Sequence, residues 1–126
     1  MNIKNTFKKF ILLNIGLFFL LFTSVFLESD EVIRFNESLD AIPTSLLIIG
    51  LIWIISYFVS LYFLYTFKKN GKKLFSILFV LGVVLNLPLG PSAVDSLMYT
   101  LDALSWCSQS AILVFLYFTP VQKYFK

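Results

Sequence analysis

Four stretches of this chain are too long and too apolar to serve as the core of a water-soluble domain. Phe10 to Leu27 and Pro43 to Phe67 carry no charged side chain, and Leu74 to Pro88 is a shorter run that stops at proline. The fourth, Leu97 to Val121, holds a single carboxylate, Asp102. A helix of about 20 apolar residues crosses a hydrocarbon layer roughly 30 Å thick. With 126 residues, 59% of them hydrophobic and 13% charged, a soluble domain would expose much of that apolar surface. The expected fold is therefore all-α and integral to the membrane: one domain, 1–126, forming an antiparallel bundle of four transmembrane helices.

The charges orient such a bundle. Lys4, Lys8 and Lys9 precede the first span, Lys68, Lys69, Lys72 and Lys73 separate the second from the third, and Lys123 and Lys126 follow the fourth. The carboxylates fall on the other side, with Glu28, Asp30, Glu31, Glu37 and Asp40 in the first connection and Asp95 and Asp102 at the third. Lysine and arginine collect in cytoplasmic loops. Both termini and the loop 68–73 are thus expected inside, and the loops 28–42 and 89–96 outside. Thr23-Ser24-Val25-Phe26 makes a poor leader-peptidase site, so the first span reads as a retained anchor. The Lys-, Ile-, Phe- and Asn-rich composition suits an AT-rich bacterial genome and a cell-membrane address.

Local signals sharpen the connections. Asn70-Gly71 supplies a turn among the lysines, and Leu89-Gly90-Pro91 breaks the chain on the outer side. Ser92-x-x-Asp95 has the form of a capping box, which would start the fourth helix at Ser92 and make it about 40 Å long.

Polar residues within the spans are the candidate functional groups. Asp102 ranks first, because a charge inside a span is costly and belongs against protein or water. Residues seven apart share a helix face, which aligns Asp95, Asp102 and Gln109 with Tyr99 and Trp106. Asn86, ahead of Pro88, sits at a depth suited to bonding that stripe. Asn14 reads as interhelical glue, and Ala103, Cys107 and Ala111 form a small-residue ridge for close packing. The loop residues Glu28, Asp30, Glu31, Arg34, Glu37 and Asp40 make a candidate partner surface with a roughly helical apolar pattern. Arg34 is expected to pair with a neighbouring carboxylate or with Asp95.

Function classes narrow by elimination. The chain has no histidine and one cysteine, which removes the commonest general base and leaves no plausible metal-ligand set or disulfide. Lysines and carboxylates lie at opposite surfaces, so an intramembrane serine–lysine dyad cannot assemble within one copy. No enzyme, cofactor, metal or nucleic-acid role is expected. The leading expectation is a small membrane protein that binds another membrane protein, a membrane-inserted peptide, or itself, as accessory subunits and immunity-type proteins do. The alternative is a proton-coupled transporter or channel subunit acting as an oligomer through Asp102.

Overall fold

The computed structural model describes residues 2–90 and 92–126. Five α-helices follow in order: α1 (Ile3–Ser24), α2 (Asp30–Glu37), α3 (Thr44–Tyr65), α4 (Lys69–Asn86) and α5 (Ser96–Phe118). Short 3-10 turns occupy Val25–Leu27, Leu87–Leu89 and Pro120–Tyr124. Four helical segments are long and apolar enough to cross a membrane. They are Ile3–Leu27, Thr44–Tyr65, Lys69–Leu89 and Ser96–Phe118. Their outward faces are as greasy as their contacts. Phe22, Leu51, Ile55 and Val80 all stand exposed, an arrangement that suits lipid and not water.

Helix ends depart from expectation in instructive ways. At α1, the Asn2 side chain accepts from the Lys4 amide at 3.1 Å, so the helix begins among the lysines, well before Phe10. The turn after α3 uses Phe67, not Gly71. The Lys68 amide donates to the Phe63 carbonyl at 2.8 Å and the Phe67 amide to that of Leu64 at 3.1 Å. These two bonds close a Schellman motif, with Phe67 at φ +57° where glycine is usual. α4 has already started at Lys69, so the expected loop 68–73 is mostly helix. Gly71 belongs to a close helix–helix approach instead. A Cβ there would lie 2.8 Å from Phe63 Cβ and 2.9 Å from the Phe63 carbonyl carbon.

The fourth span begins within one residue of the expected Leu97, but its helix does not extend back to Ser92 or forward to Val121. α5 starts at Ser96 with Asp95 as its N-cap residue, and the Asp95 side chain makes no capping bond. The Asp95 carboxylate is instead taken by Ser29, which leaves the Ser92 capping box unformed. At the other end Pro120 lacks an amide hydrogen, and the helix stops at Phe118, short of Val121. The Thr119 hydroxyl then caps the following turn by accepting from the Val121 amide. A helix of 23 residues measures about 35 Å, close to the thickness of the apolar layer, so no long projection remains. Pro91, part of the expected outer break, lies outside the described residues.

α1 packs chiefly along α5, and α3 along α4. The large, fully buried side chains gather toward one end, where the lysines are. They include Phe7 and Ile11 of α1, Leu61 and Leu64 of α3, Phe75 of α4, and Ile112 and Leu116 of α5. Phe7 anchors them, its ring centroid 5.9 Å from Phe67 and 6.0 Å from both Phe115 and Phe125. Lysines lie over the aromatic rim: Lys8 is 4.3 Å from the Tyr65 ring and Lys72 is 4.1 Å from that of Tyr117. Such cation–π contacts hold the ammonium groups at the boundary while their stems cover apolar surface.

Candidate functional site

Toward the acidic end the helices part, and two connected hollows open. The deeper one is an apolar crevice of about 250 Å³ between Phe18, Gly50, Trp53, Gly82, Leu85, Asn86, Leu89 and Trp106, reaching all four long helices. Two glycines make room for it. Nothing lies within 4 Å of a Cβ built at Gly50, whereas one at Gly82 would sit 2.9 Å from Trp53 Cζ2. The Trp53 ring therefore lies in the space that Gly82 leaves, and its Nε1–H donates to the Leu78 carbonyl at 2.8 Å. Trp106 is fixed from the other side by an edge contact with Phe79 at 5.6 Å.

Trp53 also links the crevice to a polar layer near mid-span. Its ring stacks on Tyr57 at 5.1 Å and 11°, and the Tyr57 hydroxyl donates to Asn14 Oδ1. Ser60, Ser105, Ser108 and Gln109 are buried as well. Gln109 Nε2 reaches Ser105 Oγ only at 3.4 Å, and Asn14 Nδ2, Ser108 Oγ and Gln109 Oε1 have no partner. Unpaired groups buried at this depth cost free energy, typically about 1–3 kcal/mol each. Asn14 is glue, as its sequence context implied, but it bonds a tyrosine that sequence reading passed over. The available signal was the i, i+4 spacing of Trp53 and Tyr57, which puts two large amphipathic rings on one helix face.

The shallower hollow, about 350 Å³, lies between the Leu39–Pro43 segment and Pro88–Gly90 and shares Leu89 with the crevice. Its surroundings are organised by two polar clips. The Ser29 amide and hydroxyl donate to the Asp95 carboxylate at 2.7 and 3.1 Å. Asn36 is bonded twice to Ala93, donating from Nδ2 to its carbonyl at 3.0 Å and accepting from its amide at 2.9 Å. These bonds fasten α2 to the approach to α5. The first acidic loop is thus an ordered helix with Asp30, Glu31, Arg34 and Glu37 exposed, and Asp40 exposed beyond its end. Glu28, at the start of the loop, is half-buried. Asp95 serves Ser29 and not Arg34.

The stripe on α5 divides. Gln109 is buried, Asp95 is half-buried in its clip, and Tyr99 is 67% exposed. Asp102 is exposed as well, without the protein shelter expected of it. Asn86 does not reach it, because its Nδ2 donates to the Gly82 carbonyl of its own helix at 2.8 Å. At that level of α5 the half-buried residues are Met98 and Leu101, so the face turned toward the neighbouring helices passes beside Asp102. Cys107 and Ala111 of the small-residue ridge edge a lipid-side groove of about 290 Å³ beside Phe10 and Leu13 of α1.

Among the described residues no three His, Cys, Asp or Glu side chains gather as metal ligands would. What the site offers is an apolar cleft with aromatic walls, bordered by an acidic helix held in a fixed position. No family model, curated protein or solved structure matches the chain.

Proposed function

We propose that the chain spans a cell membrane four times as an antiparallel bundle, with its lysine end in the cytoplasm. It works there by binding another membrane protein or a membrane-inserted peptide at its acidic end. The observation that carries this reading is the fastening of α2 by the Ser29–Asp95 and Asn36–Ala93 clips, at the same end of the bundle as the crevice. A face that is ordered before binding loses less entropy when a partner docks. Exposed carboxylates select a partner with basic residues at the same level, and the crevice accepts an apolar or aromatic side chain from it. Nothing in this role requires a catalytic group.

Orientation is checked by labelling. In a Cys107→Ser background, Glu37→Cys should react with an impermeant maleimide added to intact cells, while Lys126→Cys should react only after lysis. Protection of Glu37→Cys together with labelling of Lys126→Cys would invert the arrangement.

The partner face is checked by comparing two charge variants in a mild-detergent pull-down from whole membranes. Glu31→Gln with Glu37→Gln should reduce recovery of the bound protein severalfold, and Asp102→Asn should leave it unchanged. The reading would be replaced by a transporter acting through Asp102 if both variants kept full recovery while vesicles showed a pH-dependent flux that Asp102→Asn abolished.

A further inference from the structure

At the lysine end a cavity of about 420 Å³ is walled by three separate pieces of chain. α1 contributes Lys4, the turn after α3 contributes Phe67 and Lys68, and the segment after α5 contributes Lys123, Tyr124 and Lys126. No aspartate or glutamate side chain lines it. Four lysines thus contribute to the wall of one hollow, although the Lys68 ammonium itself lies over the Phe63 ring, 4.9 Å from its centroid. The topological preference for lysine on one side does not by itself require them to share a hollow.

The walls are fixed to each other by backbone bonds. The Lys69 amide donates to the main-chain oxygen of Lys126 at 3.0 Å, and the Lys126 amide donates to the Phe67 carbonyl at 3.3 Å. Lys4 is held by two rings, its Nζ lying 5.2 Å from the Phe67 centroid and 5.6 Å from that of Tyr124. The left-handed φ of Phe67 is what brings its ring to this place. A phenylalanine in that conformation is disfavoured by roughly 1–2 kcal/mol relative to its ordinary regions. The strain is retained at the one residue that touches both the core and this cavity.

We propose that the cavity binds a phosphate group, carried by the headgroup of an anionic phospholipid or supplied as a free phosphate species. Phosphate matches a hollow to which Lys4, Lys123 and Lys126 all contribute, and basic pockets between transmembrane helices hold anionic headgroups. The lipid source has the simpler geometry. Apolar surface is exposed at the same end of the protein, where Phe118 closes α5 and is 84% exposed.

The test compares two double variants that remove equal charge from the same end. Lys4→Gln with Lys123→Gln empties the cavity of two donors, while Lys69→Gln with Lys73→Gln removes two lysines outside it. The full chain is reconstituted in equal phosphatidylglycerol and phosphatidylcholine, and retained lipid is counted by native mass spectrometry. Wild type should retain phosphatidylglycerol selectively. The cavity variant should lose at least about tenfold in that selectivity, because two charge-assisted contacts to the phosphate are removed. The outer pair should change it less than about threefold, and Lys4→Arg with Lys123→Arg should restore it if charge and not lysine shape is recognised.

Inorganic pyrophosphate, added to protein in phosphatidylcholine alone, separates the two sources. Binding that the cavity variant abolishes, without any lipid selectivity, assigns the site to free phosphate. Equal losses in both double variants would reduce the effect to diffuse surface charge and overturn the proposal. So would a wild type with neither lipid selectivity nor pyrophosphate binding.

Discussion

Replacing Gly71 by leucine should destabilise the protein by about 3 kcal/mol, at the upper end of usual overpacking costs. A Cβ at this position meets backbone, namely the Phe63 carbonyl carbon at 2.9 Å and the Leu64 nitrogen at 3.0 Å. Backbone cannot rotate out of the way as a side-chain tip can, so α4 must move off α3. That motion also pulls on the Schellman turn, since the Lys68 amide is bonded to Phe63 within the same contact. Gly71→Ala should be milder, a loss of about 1 kcal/mol after the helix-propensity gain is subtracted. Gly16→Ala and Gly50→Ala provide the opposite case. Nothing lies within 4 Å of either added methyl, so both should be neutral or stabilising by up to about 1 kcal/mol. Denaturant titration in detergent micelles orders the four variants. A Gly71→Leu protein as stable as wild type would mean that α3 and α4 do not approach as described.

Gly50→Phe should abolish partner binding, with a loss of tenfold or more, while leaving the fold intact. The position faces open space at the crevice, so a benzyl group enters the hollow without displacing the residues around it. It should pack against Trp53 and so raise, not lower, the unfolding midpoint. The two readouts then move in opposite directions, which a merely destabilising substitution cannot produce. Undiminished recovery of the partner with a filled crevice would restrict the binding face to α2 and its carboxylates.

Much of this architecture was legible in the sequence because the relevant signals are local. Uninterrupted apolar runs mark the four long helices, and Asn14 stands out as a lone amide in one of them. Other features depend on pairs of residues far apart in the chain. Ser92-x-x-Asp95 is a sound local signature for a helix start, but it fails because Ser29, 66 positions away, takes the Asp95 carboxylate. Gly71 looks like a turn residue beside Asn70, yet the contact with Phe63 gives it another use. The crevice was hidden for the same reason: Gly50 and Gly82 are unremarkable singly and form an opening only once α3 and α4 are side by side. Asp102 illustrates a limit of helical periodicity, which groups residues on one face but does not say which face turns toward the neighbouring helices.

The pairing of α1 with α5 sets a condition on biogenesis. Of the four long helices the first in order has its main partner in the fourth, so α1 lacks that partner until α5 has been made. α3 and α4 can close as a local hairpin meanwhile. During that interval Asn14 sits at mid-span as an unpaired amide, and Tyr57, arriving with α3, is the first group able to relieve it. A chain truncated before α3 would therefore leave the same amide without that partner. The bond between Asn14 and Tyr57 joins α1 to α3 without any contribution from α5, so its formation does not depend on that helix.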